Sequence, residues 1–171
     1  MESYDLQSVA ELLAGEYVVN SNRSVCVIVK SELYQRKKEN NIMFRTIRKK
    51  KNEISIDTAK ALLKSSRRGV LAVNGDDGYP YAIPINYVYD DDAQKIYFHG
   101  ARAGHKVDAL RACDKVCFTV YGNETIKEED WAPFVQSVVV FGRCHLVESG
   151  ARATTLLKRF AMKYYPSEQL V

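Results

Sequence analysis

The sequence predicts an α+β domain that is mainly β, with an antiparallel barrel at its centre and helices at its periphery. Three observations support this fold class. The predicted elements follow the order helix, three strands, helix, two strands, helix. The strands are joined mostly by short turns, which suit antiparallel neighbours, because parallel neighbours need long crossovers. No internal repeat or low-complexity stretch interrupts the pattern. Together these features favour a barrel over a doubly wound sheet.

The first predicted helix covers the stretch SIDTAKALLKSS. Ser55 is placed as its N-cap, because a serine oxygen can accept a hydrogen bond from the first turn. Ala59, Leu62 and Leu63 recur at helical spacing and predict one apolar face. The run RRGVLAVN follows as a strand, and NGDDG supplies turn residues that tolerate a positive φ. A second extended run then completes a hairpin.

The second strand of this hairpin lies in YPYAIPINYVY and contains two prolines. Pro80 and Pro84 cannot donate a backbone hydrogen bond. The strand is therefore predicted to have an edge, a bulge or one side that faces something other than a neighbouring strand. Large side chains alternate here with small ones such as Ala82. A face of small residues would let a flat ring approach the backbone closely.

Five further elements complete the predicted domain. QKIYFHG predicts a strand, and ARAGHKVDALRAC predicts a helix with Val107 and Leu110 directed inward. KVCFTVYGN predicts another strand. QSVVVFGRCHLVE predicts the longest strand, in which Gly142 indicates a bulge or a close ligand approach. The last helix is predicted from about Ser149 to Tyr164.

The composition is that of an ordinary globular protein, with 46% hydrophobic and 27% charged residues. No apolar run approaches the roughly eighteen residues that a membrane-spanning helix needs, and no signal peptide is expected. The four cysteines form neither a C-x-x-C pair nor a secreted disulfide framework. A reducing, cytoplasmic location without a membrane partner is therefore predicted.

The net charge of +4 is concentrated in the stretch MFRTIRKKK, which contains Arg45, Arg48 and Lys49–Lys51. Such a segment could touch nucleic acid or another polyanion. A solvated arm is the simpler interpretation, because short basic runs are weak motifs. A nucleic-acid partner is accordingly not expected.

Residues 1–42 differ from the rest of the chain, since no pattern in them buries a face continuously. They are interpreted as an N-terminal extension before a domain that begins at Met43. An N-terminal element that packs on the domain is the alternative.

The segment YFHGARAGHKVDAL carries the most informative candidate chemistry. It joins a strand end, a glycine-containing bend and a helix start, with His99, Arg102, His105 and Lys106 around them. The N–H groups at a helix N-terminus, together with cations, can bind a phosphate. The segment matches neither a P-loop nor a dinucleotide fingerprint, so a phosphate bound there is expected to belong to a mononucleotide. A helix start that is merely basic is the alternative.

No metal site and no catalytic side chain are predicted. His99, His105, Cys113 and Cys117 are near one another in the sequence, but no pair has the spacing of zinc ligands. The sequence also lacks a nucleophile elbow, paired catalytic carboxylates and a Cys-His nucleophile.

Three ordered motifs resemble the pyridoxamine 5′-phosphate oxidase-related flavoproteins, and most closely the subgroup that includes the 5-nitroimidazole-resistance proteins. The motifs are GYPYAIPINYVYDD, IYFHGARAGHKVDALRACDKVCFTVYG and SVVVFGRCHLVE. The resemblance implies an FMN-binding split β-barrel over residues 43–171. It also implies a homodimer that holds one FMN in each of two clefts between the subunits. Members of the subgroup usually add another strand after the final helix, so a C-terminal truncation is an open alternative.

Carried over residue by residue, the resemblance assigns three groups of cofactor contacts. The phosphate-contacting stretch falls on His99, Gly100 and Lys106. The strand along the flavin ring falls on Ala82, Ile83, Pro84, Ile85 and Asn86. A later strand adds Gln136, Ser137 and Val138.

The resemblance further implies an FMN-dependent oxidoreductase, in which the flavin transfers electrons and the protein supplies binding and orientation. A small-molecule substrate such as a nitroaromatic electron acceptor is expected, with NAD(P)H or another reductant as donor. Two alternatives remain. One is a non-catalytic flavin- or haem-binding carrier module, and the other is a partner- or nucleic-acid-binding protein that works through the basic arm.

Overall fold

The computed structural model describes residues 23–30, 48–127, 132–147 and 150–165. Within these ranges the chain forms seven strands and three α-helices, which confirms the predicted α+β class with peripheral helices. The strands are β1 (Arg23–Lys30), β2 (Arg68–Asn74), β3 (Pro80–Asn86), β4 (Val88–Asp90), β5 (Lys95–Ala101), β6 (Lys115–Lys127) and β7 (Ala132–Val147). The helices are α1 (Ile56–Ser65), α2 (His105–Ala112) and α3 (Ala151–Tyr164).

The seven described strands form one sheet in the order β3-β2-β6-β7-β1-β5-β4. Every neighbouring pair is antiparallel, as predicted from the short connections. Leu71 of β2 pairs with Phe118 of β6, which pairs in turn with Val140 of β7. Because directly opposed residues share a face of the sheet, this register collects apolar side chains on the inner face.

The sheet must curl, because its two edge strands are consecutive in the sequence. β3 and β4 stand at opposite edges, yet Tyr87 alone separates Asn86 from Val88. Two residue steps span at most about 7 Å, so the two edges meet at this point. Among the described residues no ladder joins β3 to β4 or to β5, and the barrel is therefore not closed by hydrogen bonds. The architecture is a split barrel.

The core of the barrel is built around Phe118, whose side chain is fully buried. Its ring packs edge-on against Tyr87, with 4.8 Å between the ring centroids. The ring also lies on the bare backbone of Gly69, where an added Cβ would stand 2.3 Å from Cζ of Phe118. That distance is far below a van der Waals contact, so glycine at this position is a requirement of the packing.

Helix α1 begins where its capping chemistry predicts. Ser55 Oγ accepts a hydrogen bond from Thr58 N at 3.1 Å, which confirms Ser55 as the N-cap. Leu62 and Leu63 are buried, as their spacing predicts. The helix packs on β6 and β7.

The other two helices cover different parts of the sheet. Helix α2 buries Val107 and Leu110, as predicted, and packs on β2. Helix α3 lies over β1, β4 and β5, where Ala153 and Leu156 form a second apolar cluster with Tyr97. None of the helices in the described ranges is long and apolar enough to cross a membrane.

Gly142 was predicted to mark a bulge or a close ligand approach, and the bulge is wrong. Gly142 is buried and stays in continuous register opposite Val116 on one side and Lys30 on the other. A bulge at Gly142 would shift its register with β1 or with β6, and neither register shifts there. The irregularity lies instead in β6 between Gly122 and Thr125, where Asn123 has a φ of 52°.

Strand β1 belongs to the segment that the sequence analysis set apart as an extension. Its backbone pairs with β5 through Arg23↔Ala101 to Val29↔Lys95, and with β7 through Val25↔Val147 to Lys30↔Gly142. These eight residues therefore follow the alternative interpretation, that of an N-terminal element packed with the rest. The domain boundary at residue 43 stays a prediction.

Candidate functional site

The predicted ring-contacting strand, β3, is an edge strand. The N–H of Gly75 donates to the carbonyl of Tyr79 at 2.9 Å. Hydrogen-bonded and non-hydrogen-bonded pairs alternate along an antiparallel ladder. The next pair, Asn74↔Pro80, is therefore a non-hydrogen-bonded pair. Pro84 lies two pairs of that type further along β3, opposite Val70. The ladder between β2 and β3 therefore needs no N–H donor from either proline. With no strand on its other side among the described residues, β3 has the predicted edge position.

One side of the sheet, here called the outer face, carries the outward residues of β3, β2, β6 and β7. It displays Ala82 and Pro84, both exposed, next to residues of β2. Further across, Val139 is 51% exposed and Phe141 is 45% exposed. Contiguous apolar surface of this kind marks binding sites on soluble proteins.

Two of the predicted contacts on β3 turn the other way. Ile85 is buried in the core, and Ile83 is half-buried against it. Their side chains therefore fill the barrel, and their contribution to an outer-face ligand would come from the backbone. Asn86 alternates back to the outer side, where it is half-buried.

The start of α2 brings together two of the three residues predicted to contact the phosphate, Gly100 and Lys106. A Cβ added to Gly100 would stand 2.8 Å from Nζ of Lys106, so the ammonium group lies directly on the bare backbone of β5. Nζ also lies 5.6 Å from the ring centroid of Phe98. Gly104 caps the helix with a φ of 111°, a conformation that favours glycine.

This arrangement has the donors that a phosphate requires. Val107 N bonds back to Gly104 O at 2.8 Å, which begins the helical pattern. The N–H groups of His105 and Lys106 precede it and have no acceptor within the helix. One ammonium group, two N–H groups and the positive end of the helix dipole together fit an anion.

His105, next to Lys106, connects this cation to the edge strand. Its imidazole stacks on Tyr81 with 4.1 Å between the ring centroids and an interplanar angle of 17°. Nε2 lies 3.4 Å from Oδ2 of Asp76. The start of α2 is therefore held beside the first residues of β3, at the turn that joins β2 to β3.

The remaining predicted contacts are dispersed. His99 is directed to the opposite side of β5 from Gly100, where its ring packs edge-on against Phe160 of α3 at 4.3 Å. Gln136 accepts a hydrogen bond from Asn123 Nδ2 at 2.8 Å. Val138 packs against the core, whereas Ser137 is exposed on the outer face.

Sequence reasoning missed two outer-face residues, Arg68 and Tyr121. Arg68 pairs with Asn86, and Tyr121 pairs with Ser137. The ladder between β2 and β6 ends at the pair Val70↔Thr119. Arg68 and Tyr121 each lie two residues beyond this pair, so they occupy matching positions on the same face of the sheet. The alternation of exposed and buried residues in RRGVLAVN would have indicated that Arg68 faces outward, but its neighbours depend on the pairing of β2 with β6.

The junction of the two sheet edges, here called the seam, is closed by a tyrosine hydroxyl. Tyr87 N donates to Tyr164 Oη at 2.8 Å, and that hydroxyl lies 2.8 Å from the carbonyl oxygen of Tyr87. It also contacts the carbonyl oxygen of Arg67. Tyr87 Oη donates in turn to Leu63 O at 2.7 Å. Side-chain groups thus satisfy the backbone where the ladder is interrupted.

Lys163 completes the seam. Its Nζ donates to Ser66 O at 2.7 Å and lies 4.2 Å from the ring centroid of Tyr87. Burial, together with the nearby charge of Arg67, lowers the pKa of Lys163 to about 8. Burial also raises the pKa of Tyr87.

Two aspartates at the end of β4 tie the helices to the sheet. Asp91 pairs with Lys64 at 2.7 Å and Lys60 at 2.9 Å, both from α1. Hydrogen bonds from Lys64 and Lys60 lower the pKa of Asp91 to about 2. Asp90 pairs with Arg159 of α3. These groups lie on the seam side of the molecule and serve its architecture.

The other candidates from the sequence do not come together. Asn74 Nδ2 lies 3.0 Å from Cys113 Sγ, at the end of β2. Within the described ranges, no three His, Cys, Asp or Glu side chains are grouped as metal ligands. Arg48 and Lys49–Lys51 are exposed, and Arg45 lies outside the described residues.

The split barrel defines the class of protein, and its candidate site combines an open outer face with a helix start that carries Lys106. Within that class, the family of pyridoxamine 5′-phosphate oxidases matches residues 55–171, and the chain belongs to this family. The family resemblance inferred from the three motifs is thereby confirmed. No curated protein sequence matches the chain.

Solved structures share the fold at low identity. A candidate 5-nitroimidazole antibiotic resistance protein from Bacteroides thetaiotaomicron is 17% identical, with a TM-score of 0.55 over 73% of this chain and 76% of that one. A conserved hypothetical protein from Mycobacterium tuberculosis is 22% identical, with a TM-score of 0.54 over 66% of each chain. A flavocytochrome from Azotobacter vinelandii is 24% identical, with a TM-score of 0.56 over 67% of this chain and 53% of that one.

Proposed function

We propose that the protein binds FMN and acts, as a homodimer, as a flavin-dependent oxidoreductase on a small electron acceptor. Membership of the pyridoxamine 5′-phosphate oxidase family supports this proposal. So do the described functions of two structural neighbours, a flavocytochrome and a candidate 5-nitroimidazole resistance protein. The nitroimidazole neighbour favours a nitroaromatic acceptor. When bound, the flavin would supply the redox chemistry, and the protein would supply its binding site.

The observation that carries the proposal is the position of Lys106 Nζ against the backbone of Gly100. An ammonium group there, beside the first N–H groups of α2, fits the phosphate of FMN in charge and in donor number. His105 links this cation to Tyr81 of β3. A mononucleotide with its phosphate at Lys106 could therefore extend its ring along β3.

The outer face suits a flat ring. Ala82 and Pro84 expose small side chains, and β3 has no strand beyond it among the described residues. A ring lying there would replace water on apolar surface. A second copy of the chain would cover the exposed Val139 and Phe141 and turn the open face into a cleft.

The phosphate assignment is tested by comparing FMN with riboflavin, which has the same ring and no phosphate. Lys106→Met should weaken FMN binding by about 10- to 100-fold, as expected for the loss of a charged hydrogen bond of about 1.5–3 kcal/mol. Riboflavin affinity should not change. Lys95→Met is the matched control, because Lys95 lies at the other end of β5. An equal loss for both ligands would contradict the assignment.

The spectrum of the purified protein tests the cofactor itself. We expect absorption bands of oxidised flavin, and the mass of the chromophore released on denaturation should be that of FMN. A colourless protein that stays colourless after FMN is added would exclude the proposal. Bleaching of the bands by NAD(P)H and their return on adding a nitroaromatic compound would separate an oxidoreductase from a non-catalytic carrier.

The homodimer is tested on the outer face. Val139→Arg places a charge on apolar surface that a second copy would cover, so light scattering should report a monomer and FMN affinity should fall. Met162→Arg is the control, because Met162 is similarly exposed, at 47%, but lies on α3. A dimer that survives Val139→Arg would show that the copies meet elsewhere.

A further inference from the structure

One row of residues across the outer face contains two predicted cofactor contacts, Asn86 and Ser137. It also contains a cationic residue, Arg68, and an aromatic residue, Tyr121. Arg68 is opposite Asn86, and Tyr121 is opposite Ser137. Between them, Arg68 of β2 and Tyr121 of β6 stand at matching positions, each two residues beyond Val70↔Thr119, the last pair of the β2–β6 ladder. Neighbouring strands lie about 4.8 Å apart, so the row is about 14 Å long. A guanidinium group and a phenol ring thus occupy the middle of the proposed cleft.

Arg68 differs from the five other arginines of the barrel and its helices whose side chains the structure describes. Arg143 makes two 2.7 Å hydrogen bonds to Asp114, and Arg159 pairs with Asp90. Arg111 pairs with Asp108, and Arg67 and Arg102 also have contacts. Among the described side chains, none pairs with that of Arg68, which is exposed.

Tyr121 adds an apolar and aromatic surface to this cation. It is 69% exposed, although it lies in the middle of a strand on a largely apolar face. An aromatic ligand stacked on its ring would remove apolar surface from water. Arg68 beside it offers a planar fork of N–H donors that matches an oxyanion in two hydrogen bonds.

The position of Arg68 separates it from the proposed phosphate site. Lys106 follows His105, which contacts Tyr81 near the start of β3. Arg68 is opposite Asn86, the last residue of β3. Five residue steps along the strand lead from Tyr81 to Asn86, which is about 17 Å. An anion at Arg68 is therefore a different group from one held by Lys106.

We infer that Arg68 and Tyr121 form a substrate-recognition site for a small aromatic compound that carries a carboxylate or a similar oxyanion. This inference rests on the proposed function, because it specifies the substrate class of the same cleft. Arg68 holds the oxyanion and Tyr121 packs against the ring. Neither residue takes part in electron transfer, so both are specificity residues.

Two probes of nearly the same shape, of which one is an anion and the other is neutral, test the inference. 4-Nitrobenzoate and 4-nitrobenzamide share a ring and a nitro group, but the benzoate alone is an anion. Calorimetric titration of the full-length protein should show about tenfold tighter binding of 4-nitrobenzoate. Arg68→Gln should abolish this preference, and Arg68→Lys should retain part of it, because lysine keeps the charge and loses the fork.

Two further variants sharpen the result. Tyr121→Leu should weaken both probes by a similar factor of about three to ten, because the ring contact is shared. Arg111→Gln, on α2 and away from the row, should leave the preference unchanged. A thermal melt of each variant should match the parent protein, which confirms that folding is intact.

The outcomes distinguish this inference from the proposed function, because the absorbance of each sample reports its flavin content. Failure to bind flavin would contradict the proposed function, while an Arg68-dependent preference for 4-nitrobenzoate would still support this site. A flavin-loaded protein without that preference, or one that keeps it in Arg68→Gln, would overturn the inference alone. Loss of FMN binding with intact riboflavin binding in Arg68→Gln would also overturn it, since Arg68 would then hold the cofactor's phosphate.

Discussion

The seam and the outer face differ in how the edge of the curled sheet is covered. At the seam, Tyr164 supplies the hydrogen bonds that a neighbouring strand would otherwise make to Tyr87. At the outer face, Ala82 and Pro84 of the edge strand β3 remain exposed. At the seam, the backbone hydrogen-bonding groups are satisfied by side chains of the same chain. At the outer face, apolar surface remains exposed.

The difference indicates where stability and where function reside. Tyr87 is 0% exposed and its hydroxyl is hydrogen-bonded, so changes there should affect folding. Val139 is half exposed on the outer face, so changes there should affect association and ligand binding instead. Four substitutions test this division.

The largest effect is expected for Tyr87→Ala. It removes a buried ring that packs on Phe118, and the free energy of unfolding should fall by about 3–5 kcal/mol. Urea denaturation measures this quantity. Tyr79→Ala is the control, because Tyr79 is 76% exposed and its loss should cost less than about 0.5 kcal/mol. Similar losses for the two variants would mean that the seam is not a stability centre.

A smaller effect is expected for Tyr164→Phe, which removes a single oxygen atom. The N–H and carbonyl groups of Tyr87 then lose their partner at the seam, and the free energy of unfolding should fall by about 2 kcal/mol. Tyr121→Phe makes the same change on the outer face and should cost less than about 0.5 kcal/mol. If Tyr164→Phe were equally mild, water would have to replace the hydroxyl.

A pH-dependent effect of about 1 kcal/mol is expected for Lys163. Its pKa in the folded protein is about 8, below the ordinary value of 10.5. Above pH 8 the unfolded chain therefore binds more protons at this position than the folded protein does. The contribution of Lys163 to the free energy of unfolding should therefore rise between about pH 8 and pH 9.5. The rise is reduced because the side chain is partly exposed to solvent.

Lys163→Met provides the comparison for that titration. The free energy of unfolding of the parent protein, minus that of Lys163→Met, should increase over this interval and stay constant between pH 6 and pH 7. Thermal or urea unfolding at each pH measures the difference. A difference that falls as the pH rises would contradict the lowered pKa.

The smallest effect on monomer stability is expected for Val139→Ser on the outer face, at less than about 0.5 kcal/mol. A dimer couples folding to protein concentration, so the unfolding midpoint of the parent protein should rise with concentration. The midpoint of Val139→Ser should depend on concentration less steeply. Identical concentration dependence in both proteins would remove the outer face from the interface.

Local patterns were sufficient wherever one segment determines the outcome. The helix start at Ser55 is set by a hydroxyl three residues before Thr58, so both partners are visible in the sequence. The two prolines of β3 indicate an edge strand, because a missing N–H excludes a central position. The prediction of a bulge at Gly142 was wrong, because a glycine in the sequence does not show how many strands flank it in the sheet.

The candidate site was predictable to the same degree. A cation next to a helix start is a local feature, so Lys106 stood out in the segment YFHGARAGHKVDAL. Its contact with Gly100 depends on the bend between β5 and α2. Arg68 was not predicted, because its role depends on Asn86 and Tyr121. These residues are 18 and 53 positions away in the chain.

The amino-acid order on its own therefore specifies the elements, their faces and the family, since periodicity, capping and motif spacing act over a few residues. The meeting of β3 with β4 at Tyr87, the closure of that seam by Tyr164 and the row through Arg68 and Tyr121 were decided by tertiary structure. The physical reason is that strand register and sheet curvature are set by packing between distant segments, and packing of that kind leaves no local pattern in the sequence.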